Sequence, residues 1–581
     1  MTFLNLSELL QNEKRNLVQW LHTDSVVSNS LALIVGILTG LTIVLYDRSL
    51  TYSSHFFFEH EAGSSDYYVI FLPAIGGLLV GIITHYLMKK RRYSIENVIE
   101  STTLHGGKMQ PRNVFLEVLS SLISLGSGAS VGKEAPVVLA GAGIGSTLAQ
   151  TLKIRGNRLK ILLGCGASAG IAAAFNAPLA GVVFSVEVIL GELEASTFIP
   201  IVVSSVFATL TSNVVFGVRP IQISQYQLVN PFQESFLYLM LGILAGLTSV
   251  VFMRSLYICK DFFSSLKVHP ILKPAIGGFC VGIIGYFYPQ IFGVGYGTIS
   301  QVLANELVFK LLVALLLLKI VAFSLSMGSG GSGGSFVPAL FIGSMLGGAY
   351  GSIVNGIFPT FTSQPGAYAL AGMGAVFTGI ARAPLTAILI LFELTQDYNL
   401  VLPIMLACVM SNLVSSALHP ESIFTESLRR RGFTIRKGKE VDIMESLKVA
   451  DAMKREVQTI SVNKKVEALI ALMQSSRHVG FPVMDSEGKL WGIVTLKDIR
   501  DKVKQGELDK TIGEIANSNL VVAYPDESLN TVLRRLAAKD IGRLPVVSRE
   551  DNKQILGIIT RSDIVKLYDK TVVERMKNQS D

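Results

Sequence analysis

The sequence predicts a mostly α-helical, polytopic membrane protein followed by a small soluble α/β module present twice. Three observations predict it. Half of the 581 residues are apolar and only 16% are charged, whereas a soluble protein carries about 25%. Mean hydropathy is positive, at +0.48. The apolar excess stops near residue 420, and the rest of the chain has ordinary soluble composition. Length alone suggests about four soluble domains, but this distribution excludes both a disordered chain and a large soluble enzyme.

The first segment, Met1 to Ser28, is mixed and charged, and has no apolar core beside a small-residue cleavage site, so no signal peptide is expected. Apolar runs then occupy about 30–46, 68–88, 115–151, 161–190, 198–217, 235–257, 271–290, 306–327 and 400–418. From Ile320 to Ala381 there is no Asp, Glu, Lys or Arg. One helix crosses the hydrocarbon in ~20 residues, so that stretch enters the membrane more than once. Gly, Ser and Pro interrupt many runs; such breaks are tolerated where they are buried in protein or line a watery cavity, as in transporters.

Basic loops set the expected orientation. Lys89–Arg92 follow the second run, and Arg429–Arg431 with Arg436, Lys437 and Lys439 follow the last. Both clusters are expected in the cytoplasm, leaving the acidic 48–67 loop outside and the N-terminus and tail inside a plasma-membrane protein. The net charge of +8 is therefore a topology signal. It is no nucleic-acid signature, because the basic residues lie at membrane edges without interleaved stacking aromatics. Cys165, Cys259, Cys280 and Cys408 are widely spaced, with neither CxxC nor His/Cys metal spacing, and read as free thiols.

Two internal repeats organise the chain. Phe175-Asn-Ala-Pro-Leu179 leads to Glu187, and Ala381-Arg-Ala-Pro-Leu385 leads to Glu393; each Glu follows its Leu by eight residues. Duplicated halves place a transporter's binding site at the repeat interface near the bilayer midplane. The plainer reading is two unrelated helix starts, since Pro suits a first helical turn. For the two glutamates a structural role is expected, with Arg382 a candidate partner of Glu393. In the tail, Phe481-Pro-Val precedes Gly492-Ile-Val-Thr-Leu-Lys-Asp498, and Leu544-Pro-Val precedes Gly557-Ile-Ile-Thr-Arg-Ser-Asp563. Each unit reads as helix, strand, turn, strand, and a helix entered through Thr-x-x-Asp. The basic linker near 429–441 joins them to the membrane part.

The chemistry-bearing segments are Ser127-Gly-Ala-Ser-Val-Gly-Lys-Glu-Ala-Pro136 and Gly334-Ser-Phe-Val-Pro338. Each opens a helix inside apolar sequence. A helix start offers unpaired N–H groups and partial positive charge, and glycine lets backbone approach an ion. Two such ends aimed at one point hold an anion without a full charge, weakly enough for it to leave. The 126–133 stretch lacks the G-x-x-x-x-G-K-[ST] spacing of a phosphate loop. Gly141-Ala-Gly-Ile-Gly145 follows no strand, so helix packing explains it better than a dinucleotide. The Gly/Ser cluster 328–334 lies between apolar helices and reads as a pore-lining turn rather than a solvated linker.

On these residues the sequence over about 30–428 resembles the CLC family of chloride channels and proton/chloride antiporters. The tail resembles paired cystathionine-β-synthase (CBS) domains. Gly132-Lys-Glu-Ala-Pro136 is similar to the family's G-[KR]-E-x-P segment and Gly334-Ser-Phe-Val-Pro338 to its G-x-F-x-P segment. The resemblance implies two inverted helical repeats with broken helices over 1–438 and a CBS pair in 439–581, at about 447–505 and 510–570. It implies Glu134 as the gating carboxylate, competing with chloride until protonated. It implies an anion-binding set of Gly132, Lys133, Ala135, Ser335, Phe336, Val337, Phe424 and Ser94, and a homodimer with one pore per subunit. No catalytic residue, metal or obligatory cofactor is implied.

Three departures bear on mechanism. The family's G-S-G-x-P segment falls near Arg92-Tyr-Ser-Ile-Glu96, where its glycines and proline are missing and Tyr93 or Ser94 takes the Ser role. Proton-coupled relatives commonly carry a second Glu after the one matching Glu187; here Val188 stands there and cannot carry a proton. The pore Tyr of the family's S-I-Y segment is replaced by Phe424 in Ser422-Ile-Phe424. The expectation is a chloride channel or uncoupled pathway gated by Glu134, with proton-coupled antiport as the alternative. In the tail, Thr495, Asp498, Thr560 and Asp563 are the candidate contacts of a regulatory ATP, ADP or AMP at helix starts, the plainer reading being helix caps. A membrane enzyme or metal transporter is disfavoured by the lack of spaced His pairs. A receptor remains the third class, separable by chloride uptake.

Overall fold

The computed structural model describes residues 24–58, 66–88, 92–191, 195–216, 231–431, 447–476, 478–496, 498–500, 509–539 and 541–577. The chain divides into two compact units, Met1–Glu440 and Val441–Asp581. Among the described residues, eight helices are long and apolar enough to cross a membrane. Lys89–Arg91, Glu59, Glu61, Arg436, Lys437 and Lys439, on which the expected orientation rests in part, lie outside the described residues.

The first half runs α1 (Asp24–Phe58), α2 (Leu72–Ile82), α3 (Ile95–Leu104), α4 (Pro111–Gly126), α5 (Glu134–Thr151), α6 (Asn157–Phe175), α7 (Pro178–Phe184) and α8 (Ala195–Phe216). The second runs α9 (Pro231–Ser265), α10 (Lys273–Phe287), α11 (Tyr296–Leu303), α12 (Phe309–Gly328), α13 (Phe336–Ile357), α14 (Pro365–Ala381), α15 (Pro384–Thr395), α16 (Val401–Leu418) and α17 (Ile423–Arg430). The apolar run 115–151 is two helices, because Ser127–Lys133 breaks it. The run 161–190 divides at Asn176, whose φ of 55° ends α6 in a left-handed cap. Arg382, at φ 60°, ends α14 the same way before Pro384 restarts the chain. One expectation is corrected: the 48–67 loop is in part helix, since α1 continues to Phe58. Tyr52 and Phe56 extend its apolar character beyond the run that hydropathy picks out.

The halves are inverted repeats that pack reciprocally. α5 lies against α6 as α13 lies against α14, α1 against α8 as α9 against α16, and α7 meets α15. Where α2 crosses α10 the exchange is explicit. A Cβ on Gly77 would lie 2.2 Å from the Pro274 carbonyl oxygen, and one on Gly278 would lie 2.1 Å from that of Pro73. Residue i touching j′ while j touches i′ is the signature of a two-fold relation. The signal was in the sequence as Pro73-Ala-Ile-Gly-Gly77 and Pro274-Ala-Ile-Gly-Gly278, a repeat additional to the Ala-Pro-Leu pair. The main core cluster threads both halves, from Val98 and Val137 through Phe336 and Phe377 to Phe424, and a smaller one joins Val35, Leu162 and Ile201 in the first half.

The tail has the helix, strand, turn and strand of the expected unit twice, while the helix expected after Thr495 lies largely outside the described residues. α18 (Val449–Ala452) precedes β1 (Ile460–Ser461), α19 (Val466–Ser476), β2 (Gly480–Met484) and β3 (Leu490–Thr495). α20 (Ile512–Ile515), α21 (Leu529–Ala538), β4 (Arg543–Val547), β5 (Ile555–Thr560) and α22 (Arg561–Lys577) follow. β2 pairs with β3 and β4 with β5, both antiparallel, with Gly480 opposite Thr495 and Arg543 opposite Thr560. The short β1, parallel to β2, was not legible in the sequence. The Arg543 guanidinium donates to the Gly480 carbonyl at 2.8 Å, tying the two units of the tail together; burial holds its pKa below the usual value.

Candidate anion pathway

The two glycine-led segments meet. Gly132 N–H donates to the Gly334 carbonyl at 2.8 Å, and Gly334 N–H donates to that of Gly132 at 2.7 Å. This small antiparallel bridge brings the first turns of α5 and α13 together inside the protein. The preceding turns are fixed by hydroxyls: Ser130 N–H donates to Ser326 Oγ at 3.2 Å, and Ser130 Oγ to the Ile291 carbonyl at 2.8 Å. Glycine at 132 lets the Glu134 carboxylate lie where it does, since a Cβ there would be 2.1 Å from Glu134 Oε2.

Glu134 is the first residue of α5 and is fully buried. Its Oε2 accepts from the Val337 N–H of α13 at 3.3 Å, while Oε1 is buried without a partner. The carboxylate of one repeat thus sits on the helix start of the other, where a free anion would be held. Ala135 is buried at the same start, and Ser335 is the residue before α13, with its side chain partly exposed. The Phe336 ring packs between Phe175, at 5.2 Å, and Phe377, at 4.0 Å. Lys133 turns aside, and its ammonium pairs with Asp47 at 2.8 Å beside the Tyr296 ring.

The remaining predicted ligands lie on other elements. Ser94 precedes α3, where its N–H donates to Asn97 Oδ1 at 3.0 Å in a capping box. Tyr93 packs on the main core. Phe424 is buried in the first turn of α17, which packs against α3. The structure thus joins Gly132, Glu134, Ala135, Ser335, Phe336 and Val337 at one point, and Ser94 with Phe424 on a second pair of contacting helices. Val188 sits on a π-helical turn, its hydrocarbon against the core.

Sequence reasoning missed the buried Glu117 and Lys319, and read the half-buried Arg92 only as part of a basic loop. Glu117, on α4, accepts from Ser332 Oγ at 2.6 Å. Arg92 donates to the Gly331 carbonyl of the same Gly/Ser turn. Lys319, fully buried on α12, donates to the Ile291 and Gly293 carbonyls at 3.0 Å each. A charge inside an apolar run is the signal that marks both Glu117 and Lys319.

The paired glutamates are structural and reciprocal. Glu187 accepts from the N–H groups of Leu385 and Thr386, at 3.2 and 2.9 Å, and from the Thr386 hydroxyl. Glu393 accepts from those of Leu179 and Ala180, at 3.0 and 2.8 Å. Each repeat caps the other's Ala-Pro-Leu helix. Arg382 is not the partner of Glu393: its guanidinium reaches Gly379, Ser415 and His419 instead, because the left-handed turn directs it back over α14.

In the tail, Thr495 N–H and Oγ1 both donate to Asp498 Oδ2 at 2.7 Å. Thr560 N–H and Oγ1 donate to Asp563 Oδ2 at 3.1 and 2.6 Å. The motif residues therefore satisfy one another.

The family model described as voltage gated chloride channel matches residues 84–416, and that of the CBS domain matches 449–505 and 512–570. The chain is 30% identical to the voltage-gated ClC-type chloride channel ClcB of Escherichia coli (strain SMS-3-5 / SECEC), over 68% of this chain and 97% of that one. It is similar to the crystal structure of a slow cyanobacterial Cl−/H+ antiporter, at 25% identity and TM-score 0.65, covering 71% of this chain and 98% of that one. A eukaryotic CLC transporter structure shares the fold at 21% identity and TM-score 0.62, covering 92% and 97%.

Proposed function

Because the chain belongs to the voltage-gated chloride channel (CLC) family, we propose that it carries chloride and other small anions across the membrane, past the point where α5 and α13 begin, with Glu134 as the gate. One observation carries this reading: Glu134 Oε2 lies against the Val337 N–H while Oε1 has no partner. A tethered carboxylate occupies the anion position; protonation removes its charge, and the helix start is then open to a free anion. Backbone dipoles hold that anion without a permanent ion pair, so it also leaves.

The favoured mode is a channel or uncoupled conduction, supported by Val188, which cannot take up a proton, and by Phe424, which has no hydroxyl to donate. Proton-coupled antiport is the second reading, favoured by the antiporter named among the similar structures. Reconstituted liposomes separate the two. A chloride gradient that leaves protons at equilibrium supports the channel, and one that drives protons uphill establishes the antiporter.

Three further parts belong to this reading. The protein sits in the plasma membrane with its N-terminus and CBS tail in the cytoplasm, supported by the basic clusters. It is a homodimer with a pore in each subunit, joined through the faces that carry Glu187 and Glu393. The partly exposed Glu187 and Glu393 support this, because a carboxylate facing lipid is costly and a second copy would cover it. ATP, ADP or AMP binds the tail near Thr495, Asp498, Thr560 and Asp563, supported by the CBS match. Calorimetric titration of the full-length protein with each nucleotide tests that part.

A further inference from the structure

α1, α4 and α5 leave between them a groove of about 400 Å³ on the outer surface of the helix bundle. Its walls are apolar: Leu38 on α1, Val114, Phe115 and Val118 on α4, and Ile144 and Leu148 on α5. Phe115 is 66% exposed, so the groove is open along its side. Its lining on α5 runs from Ala140 to Thr151, which at 1.5 Å per residue is about 16 Å. One leaflet of a ~30 Å hydrocarbon core is about 15 Å deep. The groove therefore matches one acyl chain of one leaflet.

One end of the groove is strongly basic. At the Pro111 and Thr151 end stand Lys108, Arg112, Lys153 and Arg155, all exposed. The fold brings these loops together: Met109 N–H donates to Ser146 Oγ at 2.9 Å, and Gln150 Nε2 donates to the Met109 carbonyl at 2.9 Å. Neither 105–116 nor 135–160 contains an Asp or Glu, so nothing acidic on these stretches offsets the cluster. Basic groups at a membrane edge mark the cytoplasmic face, where the anionic lipids reside.

We propose that this groove is a site for an anionic phospholipid of the cytoplasmic leaflet, one acyl chain lying along α5 and the phosphate held by Arg112 and Lys153. Because α5 begins at Glu134, an occupant of the groove packs on the helix that carries the gate. The site itself does not depend on what the pathway conducts.

The test uses the full-length protein, delipidated in detergent and incubated with phosphatidylglycerol or phosphatidylcholine of equal chain length, with retained lipid counted by native mass spectrometry. Each basic side chain near an anionic leaflet contributes roughly fivefold in binding. The wild type should retain phosphatidylglycerol over phosphatidylcholine, and Arg112→Gln with Lys153→Gln should lose at least tenfold of that retention. Thr147→Trp, which fills the groove and leaves the basic end intact, should lose it too, and excess inorganic phosphate should not displace the lipid. Equal retention of both lipids by the wild type, or retention unchanged in both variants, overturns the proposal. Should the double variant fail to elute as folded protein, Arg112→Gln alone and Thr147→Trp give the same decision.

Discussion

Gly132 and Gly334 exchange two backbone hydrogen bonds, 2.8 and 2.7 Å long, and so clamp the helix start of one repeat to that of the other. The geometry of the proposed anion pathway depends on this bridge. It sets the Glu134 carboxylate against the Val337 N–H, with Oε2 in the space that a Cβ at 132 would take.

The first prediction concerns charge. If Glu134 blocks the pathway as an anion, flux rises as pH falls, because protonation releases the carboxylate from the α13 start. Glu134→Ala should remove that dependence and leave flux at neutral pH as high as the wild type shows in acid. Radioactive chloride uptake into liposomes at two pH values measures it; a variant that keeps the wild-type pH profile would show that another group gates.

The second concerns space. In Gly132→Ala the new methyl would overlap Glu134 Oε2 and lie 3.0 Å from Pro338 Cδ. The carboxylate has to leave the Val337 N–H, so flux at neutral pH should rise severalfold with a shallower pH profile. Unaltered flux and pH profile would mean that this contact does not hold the gate closed.

The third concerns the capping exchange. Glu393→Ala strips the acceptor from the Leu179 and Ala180 N–H groups, and Glu187→Ala does the same at Leu385 and Thr386. Loss of a helix cap costs about 1 kcal/mol, so each variant should unfold at lower temperature in detergent. Chloride flux per folded protein should stay near wild type. The two helices so capped, α7 and α15, are in contact, so the two effects should not simply add.

How much of the fold and the pathway was legible in the sequence depended on whether a feature is local. The Gly-Lys-Glu-Ala-Pro and Gly-Ser-Phe-Val-Pro starts are local signals, and the helices begin at Glu134 and Phe336 within them. The matched glutamates suggested duplication, but the partner of Glu393 comes from 214 residues away, and only folding identifies it; Arg382, eleven positions before it, was the wrong neighbour. Glu117 and Lys319 were overlooked because single charges hardly disturb an apolar average. Ser332, 215 residues from Glu117, gives no sign in sequence that it needs that acceptor. The α1 extension was missed because Asp47, Arg48 and the hydroxyl residues of 49–54 lower the hydropathy average there without breaking the helix.

The last prediction addresses the tail, where two roles compete for the same residues. Asp563 Oδ2 accepts from both the N–H and the hydroxyl of Thr560, which already accounts for the motif as a helix start. A nucleotide bound there would need the carboxylate's charge or the hydroxyl's donor as well. Asp563→Asn keeps a side-chain acceptor for the Thr560 N–H but removes the charge. If adenine nucleotide binds, titration of the full-length variant should show affinity reduced about tenfold, while amide exchange at the start of α22 is little altered. If the pair is only a cap, ATP, ADP and AMP all give no heat with the wild type. Asp563→Ala then acts on stability alone, speeding exchange at α22 by the severalfold that a lost cap of about 1 kcal/mol implies.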